Sequence, residues 1–176
     1  GLSTKYPQRT VNEIIANGFP VTLTLAAVAL LWSLLVGMTA GIIGAVRQNT
    51  VWDHAAMTAA LIGISVPSFV LGPLLVLVVS LRWHMLPPAG WGDWQHVVLP
   101  GLTLGTIYAS SIARLTRGGM LEVIRSDFIR TARAKGLSEK LIVWRHMLRG
   151  ALLPVVSYLG PAVASMLTGS VVVEKI

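Results

Sequence analysis

The 176-residue chain is 54% hydrophobic and only 12% charged, with a mean hydropathy of +0.71, values that exclude a water-soluble globular domain. Its formal charge is +7, but nine of its fourteen Lys and Arg residues lie between Arg114 and Pro154; this clustering reads as the orienting bias of a membrane protein rather than as a nucleic-acid surface. Cysteine is absent, which removes disulfides and thiolate metal sites, and the four histidines lack ligand spacing, so no metal-binding residue is expected on this chain.

Residues 1–19 are polar, with Lys5, Arg9 and Glu13, and form an extracytoplasmic lead-in in which Val11 to Ile15 carries a short amphipathic pattern. Pro20 to Val46 follows with twenty-seven uncharged residues, more than the roughly 20 needed to cross a hydrocarbon core. Gly37 and Gly41 stand four apart in this first span, a spacing that allows close helix approach, although chance in a Gly-rich membrane sequence explains it equally well. A short loop, Arg47 to His54, leads to a second uncharged run, Ala55 to Leu81, interrupted by Pro67 and Pro73. Each proline removes a backbone donor, so a kink or break near the membrane centre is expected, with Ser65 and Ser68 available to satisfy freed carbonyls. Such kinks serve packing or gating, and the sequence leaves both open.

Arg82 to His96 combines Trp83, Trp91 and Trp94 with Pro87, Pro88, Gly90 and Gly92, an irregular loop whose indoles suit the headgroup layer better than substrate stacking. Val97 to Ala113 is a short third span with a second Gly pair, Gly101 and Gly105, and it ends at Arg114 and Arg117, which can snorkel to the interface. After the basic loop, residues 114–150, a fourth span runs from Ala151 to Val173, with Gly160 and Pro161 as an expected interruption. The loops after spans one and three hold one and nine Lys and Arg residues, against two, one and one elsewhere; the 114–150 side is therefore the cytosolic one. The start without Met and the end at Val-Val-Val-Glu-Lys-Ile suggest a segment of a longer protein, truncated at 174–176. The expected fold is an all-α, polytopic helical bundle with four transmembrane helices in this segment.

Within the loop, Ser126 or Asp127 can cap a short helix with Phe128, Ile129 and Ala132 on one face and Arg130 and Arg133 pointing away. Lys135 complements the helix dipole, and Gly136 fits the left-handed position that ends a helix. Ser138 can then cap a second helix, about Glu139 to Arg149. Its polar stripe is Glu139, Arg145, His146 and Arg149, and its apolar stripe is Leu141, Val143, Trp144, Met147 and Leu148. A helix of about nine residues is not stable by propensity alone, so the first must pack on its own membrane domain or on a partner.

The run Phe128-Ile129-Arg130-Thr131-Ala132-Arg133-Ala134-Lys135-Gly136-Leu137, with Trp144-Arg145-His146 and Ala151-Leu152-Leu153-Pro154, resembles the cytosolic EAA-type loop of ABC importer permeases. The likeness is to the peptide and nickel branch, nearest to oligopeptide permease B-type subunits. Phe19-Pro20-Val21, Gln48-Asn49-Thr50, Pro67-Ser68-Phe69, Ile112 to Arg117 and Gly169-Ser170 fit the same branch. Arg130 stands where many permeases have Glu, and Arg149 stands where the Pro of the usual Leu-Pro pair would fall.

The resemblance implies a six-span permease subunit of a bacterial or archaeal cytoplasmic membrane, covered here from its second to its fifth span. It further implies a second permease subunit, two P-loop ATPase subunits carrying ATP and Mg, and an extracytoplasmic substrate-binding protein, with no catalytic or cofactor-binding residue on this chain, which itself contacts membrane lipid. Phe128, Ile129, Ala132, Gly136 and Leu137 would form the ATPase-coupling element, with Arg130 and Arg133 as rim contacts. Pro67, Pro73, Gly160 and Pro161 are gating candidates, and Gly37, Gly41, Gly101 and Gly105 helix-packing candidates.

Two observations independent of the resemblance agree with it. None of the four apolar runs contains Asp, Glu, Lys, Arg or His, which disfavours an ion-driven carrier, and the chain has no GxxxxGK[ST] motif to hold ATP itself. Gly63-Ile64-Ser65 faintly resembles a membrane serine-protease nucleophile, but no span supplies a His base. A channel or structural subunit remains the rival reading. Dipeptide, oligopeptide, glutathione and nickel-chelate cargo are not separable from these residues.

Overall fold

The computed structural model describes residues 10–90 and 92–173; Lys5, Arg9, Trp91 and the tail 174–176 lie outside the described residues. Helix α1 spans Val11–Val46 and opens on a capping box, in which Glu13 N–H donates to Thr10 Oγ1 (3.3 Å) and Thr10 N–H donates to Glu13 Oε2 (3.0 Å). This cap starts the helix well before Pro20, so the amphipathic lead-in is continuous with the first span rather than a separate surface helix. α2 (Val51–Ser65) begins inside the expected loop, because Asp53 and His54 already belong to its first turn.

The second apolar run is broken at the first of its two prolines, Pro67, while Pro73 lies within a helix. α2 ends at Ser65, Pro67 starts α3 (Ser68–Leu75), and the axes bend by 106° between them. Ser65 Oγ donates to the Leu61 carbonyl (2.7 Å) in the last turn of α2. Beyond Pro73, α3 widens into a π-helical stretch, Val76–Arg82. After an irregular loop in which Trp83 is exposed, α4 runs from Trp94 to Ile124, with Trp94 also exposed. The third span is therefore longer than its uncharged core, and Arg114 and Arg117 lie on the helix instead of in a loop. α5 (Asp127–Ala134), α6 (Glu139–Leu141), a π-helical turn (Ile142–Met147) and α7 (Leu148–Val173) complete the chain.

Two expectations fail in this last part. The second loop helix is not free-standing but merges through the π-turn into α7. That helix also passes through Gly160 and Pro161 without a break. One proline costs a membrane helix one backbone bond while the remaining bonds hold, and both residues face outward, where no neighbour forces a bend.

The bundle is built on the contact between α1 and α4, the most extensive in the molecule. A Cβ built at Gly37 would lie 2.6 Å from the Ala109 carbonyl oxygen, and one at Gly41 2.6 Å from that of Ala113. From the other side, a Cβ at Gly105 would lie 2.6 Å from the Ala29 carbonyl oxygen and one at Gly101 2.5 Å from Val28 Cγ1. Gly37, Gly41 and Gly105 thus admit the backbone of the opposite helix, and Gly101 makes room for the Val28 side chain. Ala29, Ser33, Gly37, Gly41 and Ala45 on α1 face Gly101, Gly105, Ala109 and Ala113 on α4, two stripes of small residues at every fourth position.

The register rises along both chains, from 28 against 101 to 41 against 113, so α1 and α4 are parallel. Parallel neighbours require the chain to return across the membrane between them, and only α2, α3 and their π-helical extension lie there. The bent pair thus completes one crossing, and with the three unbroken spans Gly18–Val46, Trp94–Ile124 and Glu139–Thr168 it gives four crossings. α2 is antiparallel to α4, with Asp53 beside Arg117 and Gly63 beside Thr106 and Ser110. α7 is likewise antiparallel to α4: Met166 packs near Leu104, and Ala151 lies against Gly119.

Candidate functional site: a platform at the basic end of the bundle

The platform forms where α4 outruns its apolar stretch. The chain reverses at Arg125 and Ser126, and Ser126 adopts the extended N-cap conformation. Its hydroxyl, however, donates back to the Val123 carbonyl (2.6 Å) and leaves the α5 N-terminus uncapped by a side chain. At the other end, Gly136 N–H donates to the Arg133 carbonyl (2.9 Å) and Leu137 N–H to that of Ala132 (3.3 Å), the paired bonds of a Schellman stop. Gly136 has φ +76°, as its place in the sequence predicts.

α5 is anchored by its underside. Ile129 and Ala132 are buried in one apolar cluster with Ala45 of α1, Met120 of α4, Ile142, Val143 and Met147 of the π-turn, and Ala151 of α7, and Leu137 packs against its edge. The base of three long helices and the short helix therefore share one core. Arg130 and Arg133 face outward as expected, and Gly136 is exposed beside them.

Phe128 does not join Ile129 and Ala132: it is 52% exposed while Ile129 is fully buried. Side chains lean toward the N-terminus of a helix, so a first-turn residue projects past the end of the core that covers the next turn. Trp144 and Leu141 are also exposed, whereas Ile142 takes the inward position. The wide π-turn moves the apolar stripe off the spacing of a regular helix.

Ion pairs fix the outer surface. Arg133 Nε donates to Glu139 Oε1 at 2.7 Å across the Gly136 turn, and the Glu139 carboxylate pushes the Arg133 pKa above its ordinary value. Arg130 meets Asp127 at 3.4 Å with both side chains in solvent, a contact worth little.

A second feature was not anticipated from sequence. Asp53, in the first turn of α2, receives Arg117 Nε on Oδ1 (2.6 Å), an Arg117 terminal nitrogen on Oδ2 (2.7 Å), and the Asn49 N–H on Oδ2 (2.9 Å). Asn49 holds φ 60° to aim that N–H. Arg117 thus pairs within the bundle in place of snorkelling, and it ties the inner half of the broken span to α4. The available signal was that Asp53 is the one carboxylate between Glu13 and Asp93, at the start of an apolar helix on the basic side. Among the described residues no group of three or more metal-ligating side chains assembles.

Comparison with known proteins places this arrangement. Residues 37–176 match the family described as the binding-protein-dependent transport system inner membrane component. The oligopeptide transport system permease protein OppB of Salmonella typhimurium is 49% identical over 178 residues, covering 100% of this chain and 58% of the relative. The dipeptide transport system permease protein DppB of Bacillus subtilis is 45% identical, covering 100% and 57%, and the glutathione transport system permease protein GsiC of Escherichia coli is 46% identical, covering 96% and 55%. The chain thus spans somewhat more than half the length of these relatives. With four crossings, a basic platform and a family match over most of its length, the chain belongs to the inner membrane components of binding-protein-dependent transport systems.

Proposed function

We propose that the chain is part of the permease subunit of a binding-protein-dependent ABC importer for di- or oligopeptides, with the platform around α5 receiving the motion of cytosolic ATPase subunits. The observation that carries this reading is the shared core beneath α5. A force applied to the outward residues Phe128, Arg130, Arg133 and Gly136 passes through Ile129 and Ala132 into α1, α4 and α7 at once. A rigid connection of this kind suits a lever and would be superfluous in a passive surface loop. ATP and Mg would be bound on the separate ATPase chains, cargo would arrive from an extracytoplasmic binding protein, and a second permease subunit would complete the path.

Access would switch at the broken span, where Pro67 separates α2, pinned through Asp53, from α3 and its π-helical extension. Gly160 and Pro161, lying within a continuous helix, are weaker hinge candidates, and Pro73 is a secondary one because the π-helical stretch follows it. Peptide cargo is favoured by the oligopeptide and dipeptide permeases among the relatives, with glutathione and nickel chelates as alternatives.

Affinity purification of the full-length protein from membranes in mild detergent tests this reading. Co-elution of P-loop ATPases and a second permease, with the ATPases lost after Phe128→Ala and Arg130→Ala, is the expected result. Elution of the intact protein alone would move a channel or structural role to the front.

A further inference from the structure

Beside the outward face of α5, and sharing only Phe128 with it, a cleft of 320 Å³ is lined by Phe128, Arg145, His146, Arg149 and Gly150. Its side-chain polar groups are all basic. Arg117 and Arg133 are taken up by carboxylates, whereas Arg145, His146 and Arg149 form no ion pair among the described residues. Arg145 and Arg149 stand four residues apart where the π-turn passes into α7, a like-charge spacing that is mildly destabilising and that an anion between the charges would relieve.

The surroundings say which anion. The charge-free run of α7 begins at Gly150, immediately after Arg149. On the same face, Leu153 and Val156 follow Arg149 at four and seven residues and are 73% and 59% exposed. Within one helical turn the surface passes from guanidinium to bare hydrocarbon. A carboxylate from a protein partner or a free phosphate would satisfy the cations but leave the adjoining apolar stripe without a role. A molecule with an anionic head and a hydrocarbon tail meets both ends.

We infer that this cleft holds the phosphate of an anionic phospholipid of the inner leaflet, with its acyl chain lying along Leu153 and Val156. Basic recesses at the cytosolic ends of membrane helices are suited to such headgroups, and the cleft is large enough for the phosphate and part of the glycerol. The inference needs only that α7 spans the membrane, and it holds whether or not α5 receives an ATPase.

The test is lipid titration of the purified full-length protein in neutral detergent at fixed ionic strength. The probes are phosphatidylglycerol and phosphatidylcholine, with binding read by native mass spectrometry. Wild type should prefer phosphatidylglycerol, and Arg145→Gln with Arg149→Gln should weaken that binding by about 30-fold, from roughly fivefold per basic residue at an anionic surface. Arg145→Lys with Arg149→Lys should keep the preference and so separates charge loss from misfolding, and Lys140→Gln, outside the cleft, should leave it unchanged. Equal phosphatidylglycerol binding by wild type and the double Gln variant, or no preference over phosphatidylcholine, would overturn the assignment. Displacement by inorganic phosphate would overturn the lipid source. ATPase co-elution measured on the same variants reports separately on the coupling role of α5.

Discussion

Arg117→Met and Asp53→Asn remove opposite halves of the buried ion pair and should not cost the same. The Asp53 side chain is 2% exposed and that of Arg117 27%. Without Arg117, a carboxylate stays buried with one donor left, the Asn49 N–H at 2.9 Å. Without Asp53, the guanidinium can turn toward water. Stranding a buried charge costs about 3 to 5 kcal/mol, whereas losing hydrogen bonds from a charge that can be solvated costs about 1.5 to 3 kcal/mol. Arg117→Met is therefore expected to lose about 4 kcal/mol and Asp53→Asn about 2 kcal/mol. Asp53→Asn combined with Arg117→Met removes both charges and should be more stable than Arg117→Met alone. Equilibrium unfolding of the full-length protein in mixed micelles with increasing SDS measures all three. Equal losses for the two single variants, or a double variant whose loss is their sum, would refute the reasoning, because it rests on unequal burial and on direct coupling.

Gly105→Ala should lower the unfolding midpoint in the same assay, since the new Cβ meets the Ala29 backbone at 2.6 Å, while Gly160→Ala, with nothing within 4 Å of the added carbon, should be neutral or stabilise by about 0.5 to 1 kcal/mol. Ile129→Ala should cost about 2 to 5 kcal/mol because Ile129 is fully buried. Phe128→Ala should leave stability unchanged and instead reduce ATPase capture, as read by quantitative pull-down. Gly136→Val forces a β-branched residue to φ +76° at about 1 to 3 kcal/mol; membrane insertion should survive while ATP hydrolysis becomes uncoupled from transport, and normal transport by this variant would count against the platform's role.

What could be read in advance was local in sequence. The glycine pairs are only half legible: their spacing puts them on one face, but chance gives the same spacing, and whether and which helices they join depends on topology. Gly136 is legible because a left-handed stop has few substitutes; Pro67 is legible only as a candidate break, since Pro20, Pro100, Pro154 and Pro161 lie inside continuous helices. Asp53 and Arg117 were opaque for the opposite reason. They are 64 residues apart, and their meeting requires the antiparallel register of α2 on α4. Phe128 was misplaced because periodicity describes a helix as a cylinder and does not record where the covering core stops.

These particulars combine into a mechanical asymmetry. α1 and α4 approach backbone to backbone, α7 and α5 share their basal core, and α2 is clamped to α4 by a bidentate ion pair. The segment after Pro67 begins across a 106° break and has lighter contacts, chiefly with α4 and α7. Proteins yield where packing is least, so a displacement of α5 should carry the α1, α4 and α7 frame as a unit, with α2 attached, and the change of shape should fall at Val66 and Pro67. Pro67→Ala, which restores the missing donor, should then straighten or stiffen this joint and slow transport without weakening ATPase capture. Loss of capture with the joint unchanged would place the flexible point in the platform itself.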